Sequence, residues 1–120
     1  METIGTIIKW HKETFPDTTL EEQVKKFSLE LTEFKEATTF KRRLYELADM
    51  VIVANSFFRF EKRDEQVMFA SKIINKSIDY LDRNYTVKNI CERLEMAIDD
   101  KMAINRKRQW QYVDGEYRHI

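Results

Sequence analysis

Glycine and proline are almost missing from this chain: Gly5, Gly115 and Pro16 are the whole complement in 120 residues. These residues punctuate tight turns and strand ends, so their scarcity argues against a sheet built on hairpins and favours helices. Cys91 is the lone cysteine, which excludes an internal disulfide and suits a reducing, cytoplasmic compartment. No excess of one charge exists: 21 basic residues balance 21 acidic ones. A general nucleic-acid or membrane-surface binder usually carries a basic surplus, so that class is disfavoured, although a local basic site is not. Long hydrophobic runs are lacking too. The longest, Met50-Val-Ile-Val-Ala54, is far too short to span a bilayer. Lys9, His11 and Lys12 follow the first apolar stretch directly, which is not a signal-peptide pattern. There is no Gly-rich phosphate loop. His11 and His119 lie far apart with no HExxH spacing or nearby cysteine, so zinc is not indicated.

What remains is a helix-former's composition, with 42% hydrophobic and 35% charged residues. That is enough to bury a core, and residues 1–120 are expected to form a single domain. Ile4, Ile7, Ile8 and Trp10 mark a first helix over about residues 2–13, broken at Phe15-Pro16-Asp17. Thr18 or Thr19 can cap a second helix, whose apolar positions are Leu20, Val24, Phe27, Leu31 and Phe34. Thr38, Thr39 and the trio Lys41-Arg42-Arg43 read as the connection to a third helix, from about Arg43 to about Phe60. That helix is apolar nearly all round, and in a small domain such a helix often also packs against a second subunit. A fourth helix follows the polar break Glu61–Asp64 and ends at Asn84, and Thr86 can cap a fifth that begins with Val87. The tail from Trp110 to Ile120 reads as aromatic and irregular. The expected architecture is all-α: a four- to five-helix bundle that oligomerises through its central helices.

Two acidic pairs organise the chain. Glu30-x-x-Glu33 and Glu46-x-x-Asp49 each place two carboxylates on one helical face. Taken alone, Glu30-x-x-Glu33 is the kind of pair most often found solvated on a helix flank. Glu46 and Asp49 sit in the most apolar helix, where an acid must be paired or bind a metal. About a dozen residues separate Glu33 from Glu46, which suits neighbouring antiparallel helices joined by a short loop. The four acids would then meet at one level. An all-oxygen cluster selects a hard cation, Mg²⁺ or Mn²⁺, and Mg²⁺ usually bridges to phosphate oxygens. A phosphate-bearing substrate is therefore expected.

Near the end, Lys101, Asn105 and Arg108 fall on one helical face. Lysine and arginine suit phosphate, and a solvated basic helix end is the plainer alternative. Trp10 could stack on a base, though an aromatic on an amphipathic helix more often packs. Cys91 is expected to be a small core residue rather than a nucleophile.

Glu30-x-x-Glu33 followed by Glu46-Leu-Ala-Asp49-Met-Val-Ile-Val resembles the MazG-like family of all-α nucleoside triphosphate pyrophosphohydrolases, small phage and bacterial members in particular. The opening Trp10-His11-x-x-x-Phe15-Pro16, the Lys101-x-x-x-Asn105-x-x-Arg108 segment and the closing Asp114-Gly115-Glu116-Tyr117-Arg118-His119 are similar to family stretches as well. The likeness is weakest across about residues 61–90. It implies cleavage of a nucleoside triphosphate between the α- and β-phosphates, giving the monophosphate and pyrophosphate. It implies Mg²⁺ held by Glu30, Glu33, Glu46 and Asp49, phosphates held by Lys101, Asn105 and Arg108, and a homodimer or a tetramer of dimers. Many relatives carry a further Glu just before the first ligand, giving EExxE, where this chain has Leu29. Two alternatives stand beside the enzyme: a nucleotide-binding bundle without turnover, and a helical interaction module touching nucleic acid through Arg106, Lys107, Arg108, Trp110 and Tyr112. If the acids merely repel one another, Asp49→Asn should not unfold the protein.

Overall fold

Three threonines start three helices. Thr3, Thr19 and Thr39 are each extended, and each side-chain oxygen accepts a hydrogen bond from the backbone N–H three residues on, at Thr6, Glu22 and Arg42. Each satisfies one of the donors a helix start leaves open. In the computed structural model, which describes residues 1–120, the elements are α1 (Ile4–Thr14), α2 (Leu20–Glu36), α3 (Phe40–Ser56), α4 (Asp64–Asn84) and α5 (Ile90–Lys107). One 3₁₀ turn, Phe57–Arg59, ends α3, and two short strands follow α5: β1 (Trp110–Val113) and β2 (Glu116–His119). The chain is a mostly helical, compact bundle of five helices, and none of them is long and apolar enough to cross a membrane.

Helix α3 is the axis. It packs against α1, α2, α4 and α5, and Leu44, Leu47, Ala48, Met50, Ile52, Val53 and Ser56 are all buried. Its apolar girth is therefore accounted for within one chain, because helices of the same chain surround it. The main core gathers Phe27, Leu47, Met50, Phe57 and Leu81, each fully buried. A smaller cluster of Ile7, Trp10, Phe15, Ile52 and Met102 sits apart, with Trp110 and Tyr117 packed on it. This second cluster supports the wall of the cleft described below.

Several expectations change. Lys41, Arg42 and Arg43 lie in the first turn of α3, leaving Ala37–Thr39 as the link. Arg43 belongs there because its Nε donates to the Ala37 carbonyl at 2.7 Å while its guanidinium stacks 4.6 Å from the Tyr80 ring centroid. Helix α5 starts later than expected. Thr86 and Val87 precede it, and Asn89, left-handed at φ 60°, is its N-cap with no side-chain cap bond. Asparagine tolerates that conformation better than most residues. Cys91 is exposed rather than a core residue.

The tail is not irregular. β1 and β2 pair antiparallel, Trp110 opposite His119 and Tyr112 opposite Tyr117. Asp114 at φ 50° and Gly115 at φ 81° turn the hairpin, two left-handed residues in the order that matches the right-handed twist of the strands.

Candidate active site

The short link between α2 and α3 folds the two helices side by side, and their acids meet. One carboxylate oxygen from each of Glu30, Glu33 and Glu46 lies within 4.8 Å of the other two. Their burial and mutual proximity act on the carboxyl groups. Burial pushes Glu30 up to about 8, helped by the charges of Asp49, Glu33 and Glu46. Burial also pushes Glu46 up to about 7, with a hydrogen bond to Glu33 next in importance. Glu30 Oε2 and Glu46 Oε2 are buried and have no hydrogen-bond partner. Unpaired buried oxygens are rare, because each gives up hydration with nothing in return. A divalent cation among these oxygens would satisfy both and remove the repulsion.

Asp49 stands at the edge of this group. Its Oδ2 is 3.1 Å from Lys101 Nζ. Burial lifts the Asp49 carboxyl above its usual range, and the Lys101 ammonium partly counters this. Lys101 also lies 5.7 Å from the centroid of the Tyr45 ring and lowers the Glu46 carboxyl. So three of the four acids converge by distance, while the fourth is held by a lysine that was expected to face phosphate. Replacing that lysine should expose its role: Lys101→Met is expected to lower the melting temperature more at pH 8, where the acids ionise, than at pH 5. An equal loss at both values would mean that Lys101 matters only for packing.

A cleft of about 460 Å³ opens beside the acids. Glu30, Glu33 and Asp49 line one end, and Asn105 and Arg108 of the α5 C-terminal region line the wall. Lys101 meets the cleft through Asp49 rather than on its wall. The exposed Leu29 also faces it. The other end is aromatic. Phe15 is the hub, with edge-on contacts at centroid distances of 5.2 Å to Trp10, 4.9 Å to Trp110 and 5.0 Å to Tyr117. Trp10 is thus a packed residue that still lines the cleft. Trp110 and Tyr117 arrive from the hairpin, and Tyr117 Oη is pinned by hydrogen bonds to Asp17.

The floor between the ends is polar and buried. His11 is 3% exposed. Its Nδ1 accepts from Arg59 Nη1 at 2.9 Å, and its Nε2 donates to Gln23 Oε1 at 3.1 Å. Burial, with the Arg59 charge second, drives His11 down to about 3, so the ring is neutral. Gln23 Nε2 donates to Thr18 Oγ1 at 3.0 Å, and Thr18 Oγ1 donates to Glu22 Oε2 at 2.9 Å. The sequence offered Thr18 only as a possible helix cap, and Glu22, Gln23 and Lys26 were not singled out for the site. Glu22, Lys26, Glu30 and Glu33 share one helical face, and that spacing was the available signal. Arg106, once considered for nucleic acid, is engaged by Glu2 at 2.8 Å. Comparison with family models, with curated proteins and with solved structures finds no match to this chain.

Proposed function

We propose that this chain is a divalent-metal-dependent nucleoside triphosphate pyrophosphohydrolase of the MazG-like type, working in the cytoplasm as a homo-oligomer. One observation carries the reading: three carboxylates converge beside a cleft that two of them line, and two of their oxygens are buried without a partner. Glu30, Glu33 and Glu46 would hold Mg²⁺ or Mn²⁺, and Asp49, at the edge of the group and paired with Lys101, would be the fourth ligand. The donor set fits, since hard cations take carboxylate oxygens and an uncompensated acidic group is what such a cation relieves. When bound, the metal would neutralise phosphate charge and acidify a coordinated water.

The protein's own residues supply the rest. Asn105 and Arg108 on the cleft wall offer donors to phosphate oxygens, Arg108 as a planar fork. Lys101 is 23% exposed at its side chain and 3.1 Å from Asp49, close enough to exchange that carboxylate for a phosphate. The aromatic end provides a surface for the base. The exposed apolar side chains of Met68 and Phe69 on α4 and Leu29 on α2 are candidates for burial against a second copy.

The second reading, a nucleotide-binding bundle without turnover, is favoured by Leu29. It lines the cleft where many MazG-like relatives carry a further acid. Incubation with a panel of ribo- and deoxynucleoside triphosphates plus Mg²⁺ or Mn²⁺ separates the two. Pyrophosphate and monophosphate as the sole products support hydrolysis between the α- and β-phosphates. Metal-dependent binding without product supports the bundle, and inorganic phosphate with the diphosphate would sink both readings.

A further inference from the structure

The buried chain of hydrogen bonds beneath the cleft has only one possible direction. Arginine only donates, so His11 Nδ1 must accept from Arg59 and its proton must sit on Nε2. Nε2–H then donates to Gln23 Oε1, which orients the amide so that its nitrogen faces Thr18. The Thr18 oxygen accepts there and turns its own proton to Glu22 Oε2. Four links run from a cation to a carboxylate, and all three residues between, His11, Gln23 and Thr18, are buried. Their polarity leads to Glu22, which lines the cleft and keeps Oε1 for a ligand.

Position along α2 says which part of a ligand Glu22 meets. Glu22 and Glu30 are separated by eight residues of one helix, about 12 Å at 1.5 Å per residue. Lys26 lies midway, its ammonium 5.5 Å from the centroid of the Trp110 ring. The acids that would hold metal and phosphates are at one end of this face. Glu22 is eight residues away on the same face, and it shares the cleft lining with Trp10, Phe15, Trp110 and Tyr117. A negative group there is misplaced for phosphate and well placed for hydrogen-bond donors on a base.

We propose that Glu22 is a specificity-determining residue that accepts a hydrogen bond from the edge of the substrate's nucleobase, fixed for this by the Arg59–His11–Gln23–Thr18 chain. The inference rests on the nucleotide reading of the cleft. It assigns a preference for bases that present amino or amino-plus-imino donors, namely cytosine, adenine and guanine. Uracil and thymine offer a single N–H between two carbonyl oxygens, which a carboxylate repels. A site built around a hydrogen bond to the right base discriminates because the wrong one leaves a desolvated partner unpaired.

The test compares kcat/KM for dCTP, dATP and dGTP with that for dUTP and TTP, in the wild type, Glu22→Gln and Thr18→Val. In parallel, calorimetry measures binding of the matching monophosphates in Mn²⁺. The wild type should favour at least one amino-bearing base over both uracil and thymine by tenfold or more, as a charge-assisted hydrogen bond warrants. Glu22→Gln should collapse that ratio, since a carboxamide offers a donor as well as an acceptor. Thr18→Val, which removes the hydrogen bond that holds Glu22 Oε2, should reduce it part of the way. Turnover with equal rates for all bases, or an unchanged ratio in Glu22→Gln, overturns the inference and leaves the hydrolase reading intact. Selective binding of the monophosphates without turnover supports the inference and overturns the hydrolase. No binding of any nucleotide overturns both. Circular dichroism and melting of each variant establish that it is folded.

Discussion

Glu46→Gln is expected to abolish metal-dependent pyrophosphate release, a fall of more than about a hundredfold, because even residues that only support a ligand cost 10- to 100-fold when lost. Glutamine keeps the volume and one oxygen, so the packing around α3 should survive. What changes is charge. The wild-type Glu46 carboxyl is pushed up to about 7 by burial and by Glu33, and one of its oxygens has no partner. A neutral amide is easier to bury there without metal. The variant should therefore melt no lower than the wild type in a chelator, and lose the rise that Mg²⁺ or Mn²⁺ gives the wild type. Glu30→Gln should behave alike, with the larger gain in chelator, because Glu30 is pushed up further, to about 8. Retained activity in either variant, with metal stabilisation unchanged, would remove the metal from these acids.

The metal-free protein should become less stable as pH rises from about 5 to about 8, and added divalent cation should reverse that trend. The sign follows from proton counting. Unfolded, Glu30 and Glu46 titrate near the ordinary value of 4.5; folded, near about 8 and about 7. Between those limits the folded state holds more protons than the unfolded one. Unfolding then releases protons, and stability falls as pH rises through the window. Below 4.5 the two states are protonated alike and the effect vanishes. A drop in melting temperature of about 5 °C or more across the window is expected for a domain this size. Mn²⁺ binds ionised carboxylates and competes with protons, so its stabilisation should grow over the same pH range. His11 works against this trend at the acid end: unfolded it takes up a proton near its ordinary value of 6.5, which the buried ring, held at about 3 by burial and Arg59, does not, so it offsets part of the two carboxyls' effect between pH 5 and 6.5. A melting temperature flat or rising from pH 5 to pH 8 in chelator would mean that the acids are already compensated.

The stabilities and the activity meet at Asp49. From spacing alone it is the fourth member of a repelling set, and Asp49→Asn was expected to leave the fold intact. Its pairing with Lys101 at 3.1 Å adds an opposing contribution. Burial still outweighs the lysine, as the carboxyl remains raised. The expectation of a folded Asp49→Asn protein therefore stands, with Lys101 as the group left short of a partner.

How much was legible in the chain differs by element. The helices were, because apolar residues recurring every three or four positions leave few other ways to bury a face. Glu30-x-x-Glu33 and Glu46-x-x-Asp49 were legible as two pairs because spacing on a helix sets azimuth. The hairpin was not, since four-residue strands are too short to show alternation, although Asp114-Gly115 is a turn pair in its own right. Nor was the start of α5, where a left-handed Asn89 displaced the expected Thr86 cap.

By itself, the order of residues determined a helical chain with a single cysteine and no apolar run long enough for a membrane-crossing helix, and two rows of acids at helical spacing. Both follow from local periodicity, which each helix carries alone. Tertiary packing decided the rest: that Glu30, Glu33 and Glu46 converge while Asp49 turns to Lys101, that α3 is enclosed by its own chain, and that His11, Gln23 and Thr18 join Arg59 to Glu22. Those partners sit as much as 52 residues apart (Lys101 and Asp49), and only the relative placement of helices, set by which apolar faces fit together, brings such groups within hydrogen-bond reach.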